Sequence, residues 1–360
     1  MPIAVVKIAR VNWAGERLPG LRGGPRPAGE SAMQMKRYWL VAVILAVTFA
    51  ACATDRMAHA QNYPARPVKL IVPYAPGGPN DIVARLLAQK LQEALGGNFF
   101  VENLPGGGGT IGTGNAANAA PDGYTLLVAN QDIIIQPIIR AKVPYDPFKS
   151  FAPLSLVASG PELVTVNSSL PVKDMKELIA LLKANPGKYS YASPGYGTMP
   201  HIAGEWLYRL DNAIDITHVP FQGAAPAIQS VLSGQTPVFQ IVIPVVRPHI
   251  AQGSIRALAV ADTKRSHFFP DVPTLAEQGI IGHEVSFWMG VFARADMPQA
   301  ILDVLQAQVS RIMQLPDIKQ RIDTLGFEPR HSTAAELAAL LNSETEKWSK
   351  VVRETKIKID

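Results

Sequence analysis

Residues 69–91, KLIVPYAPGGPNDIVARLLAQKL, constrain the fold more than any other stretch. Leu70, Ile71 and Val72 are a short uncharged run suited to a strand buried on both faces. The segment Pro73-Tyr74-Ala75-Pro76-Gly77-Gly78-Pro79 can continue neither a strand nor a helix. Asn80 then reads as an N-cap, with Asp81 in the first turn where the helix dipole favours an acid. Ile82, Val83, Leu86, Leu87 and Leu91 fall on one helical face of a helix expected over 81–95. Strand, glycine turn and helix together place free N–H groups behind a turn that another group can approach closely, which is an anion seat. An ordinary βα turn of an α/β protein uses the same residues.

The N-terminus reads as a leader. Lys36 and Arg37 precede fifteen uncharged residues, 39–53, fewer than the roughly 20 of a membrane span. This is the pattern of a secretory signal over about 33–60, with Ala58-His59-Ala60 as the cleavage site before Gln61. Residues 1–32 are rich in Pro, Gly and Arg without periodicity, and read as a non-native upstream extension. The chain holds 34 Lys and Arg against 29 Asp and Glu, and residues 1–60 carry 8 and 3 of these, which leaves 26 against 26. The basic excess therefore belongs to the leader and carries no argument for nucleic acid binding. The single cysteine, Cys52, also lies there. The remainder would be an exported protein without disulfides, which its size permits. Lipidation at Cys52 is the competing reading, and the preceding Phe49-Ala50-Ala51 matches the usual Leu-small-small pattern poorly.

Strand and helix patterns alternate along the rest of the chain, so a mostly parallel sheet with helices on both faces is expected. Residues 154–158 and 163–166 read as two separate strands, and 105–109 as a glycine loop before a small-residue helix. The strand at 189–192 runs into Ser193-Pro194-Gly195-Tyr196-Gly197-Thr198, and from His201 the chain is helical again. This repeats the opening motif and suggests two similar lobes facing across a cleft.

Three sharper chemistries each match part of the sequence. Gly107-x-Gly109-x-x-Gly112 with Asp132 matches a dinucleotide fingerprint, but the match is cheap in a run of four glycines and an exported protein meets little nicotinamide cofactor. His201 and Glu205 have metal-like i, i+4 spacing without a third ligand. Ser193, with His201 or His218 as base, would make an exported serine hydrolase, but G-x-S-x-G is absent and Pro194 removes a natural oxyanion donor. No cofactor, metal or catalytic residue is therefore assigned.

The residues carry a resemblance. YPARPVKLIVPYAPGG at 63–78, VENLPGGGGTIG at 101–112, APDGYTLL at 120–127, YASPGYGTMPHIAGE at 191–205, HVPFQGAAPAI at 218–228 and FPDVPTLAEQG at 269–279 follow one another in a specific order and spacing. In these the chain resembles the tripartite tricarboxylate transporter receptor family, also called Bug or TctC-like. The resemblance implies an α/β fold of the type II periplasmic binding protein kind, a two-lobed Venus flytrap with crossover strands. It implies a first lobe from 61–163 plus 285–360 and a second from 164–284. It further implies a monomeric periplasmic receptor that captures a small carboxylate and delivers it to the permease subunits of a tripartite transporter. Carried onto this sequence, the ligand-binding residues of the first turn are Tyr74, Ala75, Gly77, Gly78, Asn80 and Asp81. Those of the second are Ser193, Gly195, Tyr196, Gly197, Thr198 and His201.

Four departures bear on the ligand. Pro79 removes a donor from the first turn. The segment 234–240 lacks the acid that can receive a ligand amine, which disfavours an amino acid. Tyr196 replaces a smaller polar residue and suggests a tightly walled pocket. Ile133-Ile134-Ile135-Gln136-Pro137 would replace a polar loop with an apolar wall. Together these favour a less polar carboxylate, aromatic or of medium chain. A ligand sensor acting in signalling is the alternative output.

Overall fold

A computed structural model of the chain describes residues 63–210 and 212–357. The signal segment, its cleavage site and Cys52 lie outside the described residues. The strands, in chain order, are β1 Val68–Val72, β2 Phe99–Asn103, β3 Thr125–Asn130, β4 Phe151–Asn167, β5 Ser190–Ser193, β6 Thr217–Pro220, β7 Val238–Val242, β8 Ile255–Val260, β9 Ser286–Arg294 and β10 Glu328–Pro329. The helices are α1 Pro79–Leu95, α2 Thr110–Ala117, α3 Asp132–Ile139, α4 Met175–Ala184, α5 Met199–Gly204, α6 Ala224–Leu232, α7 Ile243–Ala251, α8 Gln299–Gln314, α9 Pro316–Leu325 and α10 Ala334–Thr355.

The opening segment folds as its pattern requires, with one shift. All of β1 except Lys69 is buried, between its parallel neighbours β2 and β3. Helix α1 begins at Pro79 with Gly78 as its N-cap. Proline is well suited to a first helical position, where its missing N–H has no acceptor anyway. Asn80 is thus inside the helix and buried, not the cap expected from sequence. The helix ends at Gly96 in the left-handed region, φ 72°.

Residues 151–167 form one strand where the sequence suggested two. From Phe151 to Pro161, β4 pairs antiparallel with β9, and near its middle with β10. From Glu162 it pairs with β7, and from Leu163 also with β8. Gly160-Pro161 reads as a break, but it sits where β4 changes partners, a point at which a missing N–H costs least. The sheet runs β2-β1-β3-β9-β4-β7-β5-β6, with β10 and β8 also on β4. Parallel pairing is confined to β1 with β2 and β3, and to β5 with β6 and β7. Every pair that includes β4 or β9 is antiparallel, so the expected mostly parallel sheet is corrected. The result is a two-lobed α/β fold in which β4 passes from one lobe's strands to the other's.

Ile133, Ile134 and Ile135 are not a loop but the buried face of α3, in one apolar cluster with Ile71, Tyr191 and Trp348. Helix α10 carries Trp348 and starts with a capping box between Thr333 and Glu336. Among the described residues no helix is long and apolar enough to cross a membrane.

Helix α2 lies close behind the first turn because Gly112 lacks a side chain. A Cβ there would stand 2.6 Å from the Leu104 carbonyl oxygen and 2.7 Å from Pro73 Cα. Both are backbone atoms and cannot swing aside. Gly112→Ala is expected to destabilise the protein by about 1–3 kcal/mol, read as a lower urea midpoint at unchanged m-value. An unchanged midpoint would show that α2 can move away freely.

Candidate functional site

Two chambers lie where the glycine turns face each other. The inner one, of about 50 Å³, is lined by parts of both turns and by Gln131, Asp132, Glu162, Ala224, Ala225 and Phe287 among others. The outer one, of about 190 Å³, is lined by the glycine loop 106–109, Arg140, Tyr196 and Gln222 among others. Tyr74, Ala75, Pro194, Thr198 and Gly223 line both. Where both chambers share their lining, Gly223 has φ 121°, and a Cβ there would stand 3.3 Å from that of Ala75.

The first turn is held from behind by Asp81. Its carboxylate accepts from the Gly77 N–H at 2.9 Å and from Asn103 Nδ2 at 2.9 Å, and it pairs with Arg85 at 2.9 Å. Burial works against the charge, but Arg85, the Gly77 N–H and Asn103 hold the carboxyl below the usual range. Asp81 and Gly77 therefore build the turn without lining either chamber. Tyr74, Ala75, Gly78 and Asn80 do line the inner one. Residues at the start of α1 (Gly78 to Asn80) and of α6 (Ala224 and Ala225) line this space, and the first N–H groups of a helix have no intrahelical acceptor. These are positive ends of helix dipoles. No Lys, Arg or His lines the inner chamber among the described residues.

The second turn is satisfied largely within itself. Gly195 N–H donates to Ser193 Oγ at 3.2 Å, Gly197 N–H to His201 Nδ1 at 3.0 Å, and Thr198 N–H to the Gly195 carbonyl at 3.3 Å. Gly195, Tyr196 and Thr198 line a chamber; Ser193, Gly197 and His201 do not. Ser193 Oγ lies 2.7 Å from His218 Nε2, the spacing of a nucleophile and its base, but Ser193 is 0% exposed. The imidazoles of His201 and His218 stack at 4.0 Å, and Tyr196, half exposed, stands edge-on to both. Burial pushes His201 down to about 4 and His218 down to about 3, with Arg209 adding to both and His201 adding to the latter. Glu205 accepts from Tyr191 at 2.6 Å and pairs with Arg209. Among the described residues no group of metal-binding side chains forms.

Asp132 joins the two turns. Its Oδ1 accepts from the Met199 N–H at 2.9 Å, and its Oδ2 lies 3.0 Å from the Tyr74 hydroxyl, which also meets Asn130 Oδ1 at 2.5 Å. Burial pushes this carboxyl up to about 7, although Tyr74 and the Met199 N–H favour its charged form. Burial also pushes Glu162 up to about 8, with Asp132 adding to the rise. The one acid that sequence reasoning assigns to the site, Asp81, does not line the chamber, whereas Asp132 and Glu162 do. Segment 234–240 has none, but Glu162 on the neighbouring β4, paired with Val242, reaches the inner chamber. A lone charge in the otherwise uncharged run 151–167 was the available signal. None of Ile133, Ile134 and Ile135 lines either chamber, so the expected apolar wall is not theirs; Ile241, Val242, Met199 and Phe287 supply it.

A model of the tripartite tricarboxylate transporter family receptor matches residues 83–357. Protein BugT of Bordetella pertussis is 33% identical over 329 residues, covering 91% of this chain and 100% of that protein. Among solved structures, MatC from Rhodopseudomonas palustris with bound malate is 33% identical with TM-score 0.75, over 81% of this chain and 100% of that one. An R. palustris protein solved with adipate is 29% identical with TM-score 0.79, over 82% and 99%.

The histidine pair makes a stability prediction. Both rings are neutral in the folded protein, and their folded values lie below the ordinary 6.5. Their contribution is complete above about pH 6.5 and is lost as pH falls through 6 towards 4. For His201 alone the shift corresponds to on the order of 3 kcal/mol. His218→Asn should flatten the fall in thermal midpoint between pH 7 and 4.5; an identical slope in the variant would refute the assignment.

Proposed function

The chain belongs to the tripartite tricarboxylate transporter receptor family, a family of receptors and not of enzymes, and from that premise we propose that its inner chamber captures the carboxylate of a small organic acid. The observation that carries this reading is the chamber's electrostatics. The starts of α1 and α6 converge on it and no cationic side chain lines it. Helix N-termini stabilise an anion by oriented N–H groups without a bulky guanidinium. The relatives solved with malate and adipate support a small acid of this kind. Phe287, Ile241, Val242 and Met199 suit a body of short apolar chain, and the outer chamber gives room for it.

The ligand site then comprises Tyr74, Ala75, Gly78, Asn80, Thr198 and the N–H groups of Ala224 and Ala225. Gly77 and Asp81 shape the first turn, and Ser193, Gly197 and His201 the second. The lobes, 61–163 with 285–360 and 164–284, close over the acid by bending where β4 changes partners. The receptor acts as a monomer in the periplasm, after removal of the leader near Ala60, and hands its ligand to membrane permease subunits.

The test is a thermal-shift panel of carboxylates that includes malate and adipate, each with its amide. At 100-fold over Kd an acid should add about 2.7 kcal/mol to stability. Ala225→Glu, which sets a carboxylate at the start of α6, should abolish the shift while circular dichroism is unchanged. Equal shifts from acid and amide, or an undiminished shift in Ala225→Glu, would rule the anion seat out.

A further inference from the structure

The inner chamber holds two carboxyl groups, Asp132 and Glu162, and no base among its described lining. Three residues on its wall have a buried polar atom without a hydrogen-bond partner among the described residues: Asn80 Nδ2, Gln131 Nε2 and Glu162 Oε2. They are 3%, 0% and 1% exposed. They come from three separate elements, the first turn of α1, the residue before α3 and the partner switch of β4. Unsatisfied buried polar atoms are uncommon because each gives up its hydration for nothing. Three of them on one small chamber indicate that a ligand completes them.

Their chemistry decides what the ligand presents. Two of the three, the amides of Asn80 and Gln131, can only donate at the atoms concerned. The N–H groups at the starts of α1 and α6 also donate. Glu162 is the ambiguous member: it accepts if ionised and donates if neutral. An ionised Glu162 would be a buried anion beside a second carboxyl, with only the Gln240 amide and no cation in the lining to offset it. A neutral one adds a further donor to the same set.

We propose that Glu162 serves as a neutral carboxylic acid whose O–H, together with Asn80 Nδ2 and Gln131 Nε2, donates to the ligand's carboxylate in the inner chamber. The site then selects acids that present a bare carboxylate at that end and discriminates against an ammonium there. This rests on the reading of the chamber as a carboxylate seat. Burial, which pushes Glu162 up to about 8, keeps it protonated at neutral pH. The titratable groups facing it are Asp132 from α3 and Tyr74 from the first turn. Gln240 on β7 is neutral, and its side-chain amide faces Glu162 and favours the charged form, an effect smaller than that of burial. Thr198, Met199, Ala224, Ala225 and Phe287, from the remaining walls, carry no charge.

The test is isothermal titration of malate and adipate against the wild-type protein, Glu162→Gln and Glu162→Leu, from pH 6.5 to 9.5. Both acids are fully ionised over this range, and Asp132 titrates in all three proteins, so differences between them report Glu162. Wild-type affinity for the tighter acid should weaken above about pH 8, towards tenfold per pH unit. Glu162→Gln keeps an N–H donor, so it should bind within a few-fold of wild type at pH 7 and lose the weakening above 8. Glu162→Leu should bind about tenfold or more weaker at pH 7, with thermal midpoints confirming that both variants fold. Unchanged affinity in Glu162→Leu would overturn the role of Glu162 while leaving the carboxylate seat intact. So would 6-aminohexanoate binding tighter than adipate with affinity that rises through pH 8, since that places a cation against an ionised Glu162. Wild-type protein that binds no acid at any pH would instead sink the seat itself, and the inference with it.

Discussion

Both glycine turns meet at a single carboxyl group. Asp132 sits at the start of α3 and touches Tyr74 of the first turn through one oxygen and the Met199 N–H of the second through the other. Two lobes that share one long strand could otherwise adopt many relative angles. A buried group bonded to both sides favours the closed one, because leaving either partner unpaired in that low-dielectric space is costly. The same burial raises the group to about 7, so the joint is made by a carboxyl poised between its two protonation states. In the neutral form it can also return a hydrogen bond to the Tyr74 oxygen, whose own proton then goes to Asn130.

From that joint the rest of the site follows. With the turns held together, the starts of α1 and α6 point into a space of about 50 Å³. That space is large enough for a carboxylate head and a water or two. The body of the ligand has to extend past Ala75 and Gly223, which line both chambers, or rest against Phe287 and Ile241. The second turn differs from the first in how it contributes. Its amides are spent on Ser193, His201 and its own carbonyls, and the stacked histidines beneath it act as a rigid neutral floor. A turn whose N–H groups are already used shapes a pocket more than it binds.

Much of this could be read from the residues. The strand, glycine turn and helix at 69–91 are unmistakable because β-branched and leucine runs, two glycines and an acid in the first helical turn all agree. The repeat at 189–201 marked the opposite wall for the same reason. What was missed was non-local. Gly160-Pro161 reads as an end of strand unless the exchange of partners between β9 and β7 is known. The helix at 132–139 has Pro137 inside it and five isoleucines, so its pattern resembles a loop or strand more than an amphipathic helix. Glu162 and Gln131 gain meaning only when three elements distant in sequence bring them beside Asn80. Ser193 looked like a candidate nucleophile from its turn, and only burial shows that its hydroxyl belongs to the fold.

The central claim is that a carboxylate is held by helix starts and neutral donors, without a cation. A crystal structure of the protein grown with malate or adipate tests it directly. The account predicts a carboxylate in the inner chamber, within hydrogen-bonding distance of the Ala224 or Ala225 N–H and of Asn80, with Glu162 against it. An acid found instead in the outer chamber on Arg140, with the inner chamber unfilled by it, would contradict the account.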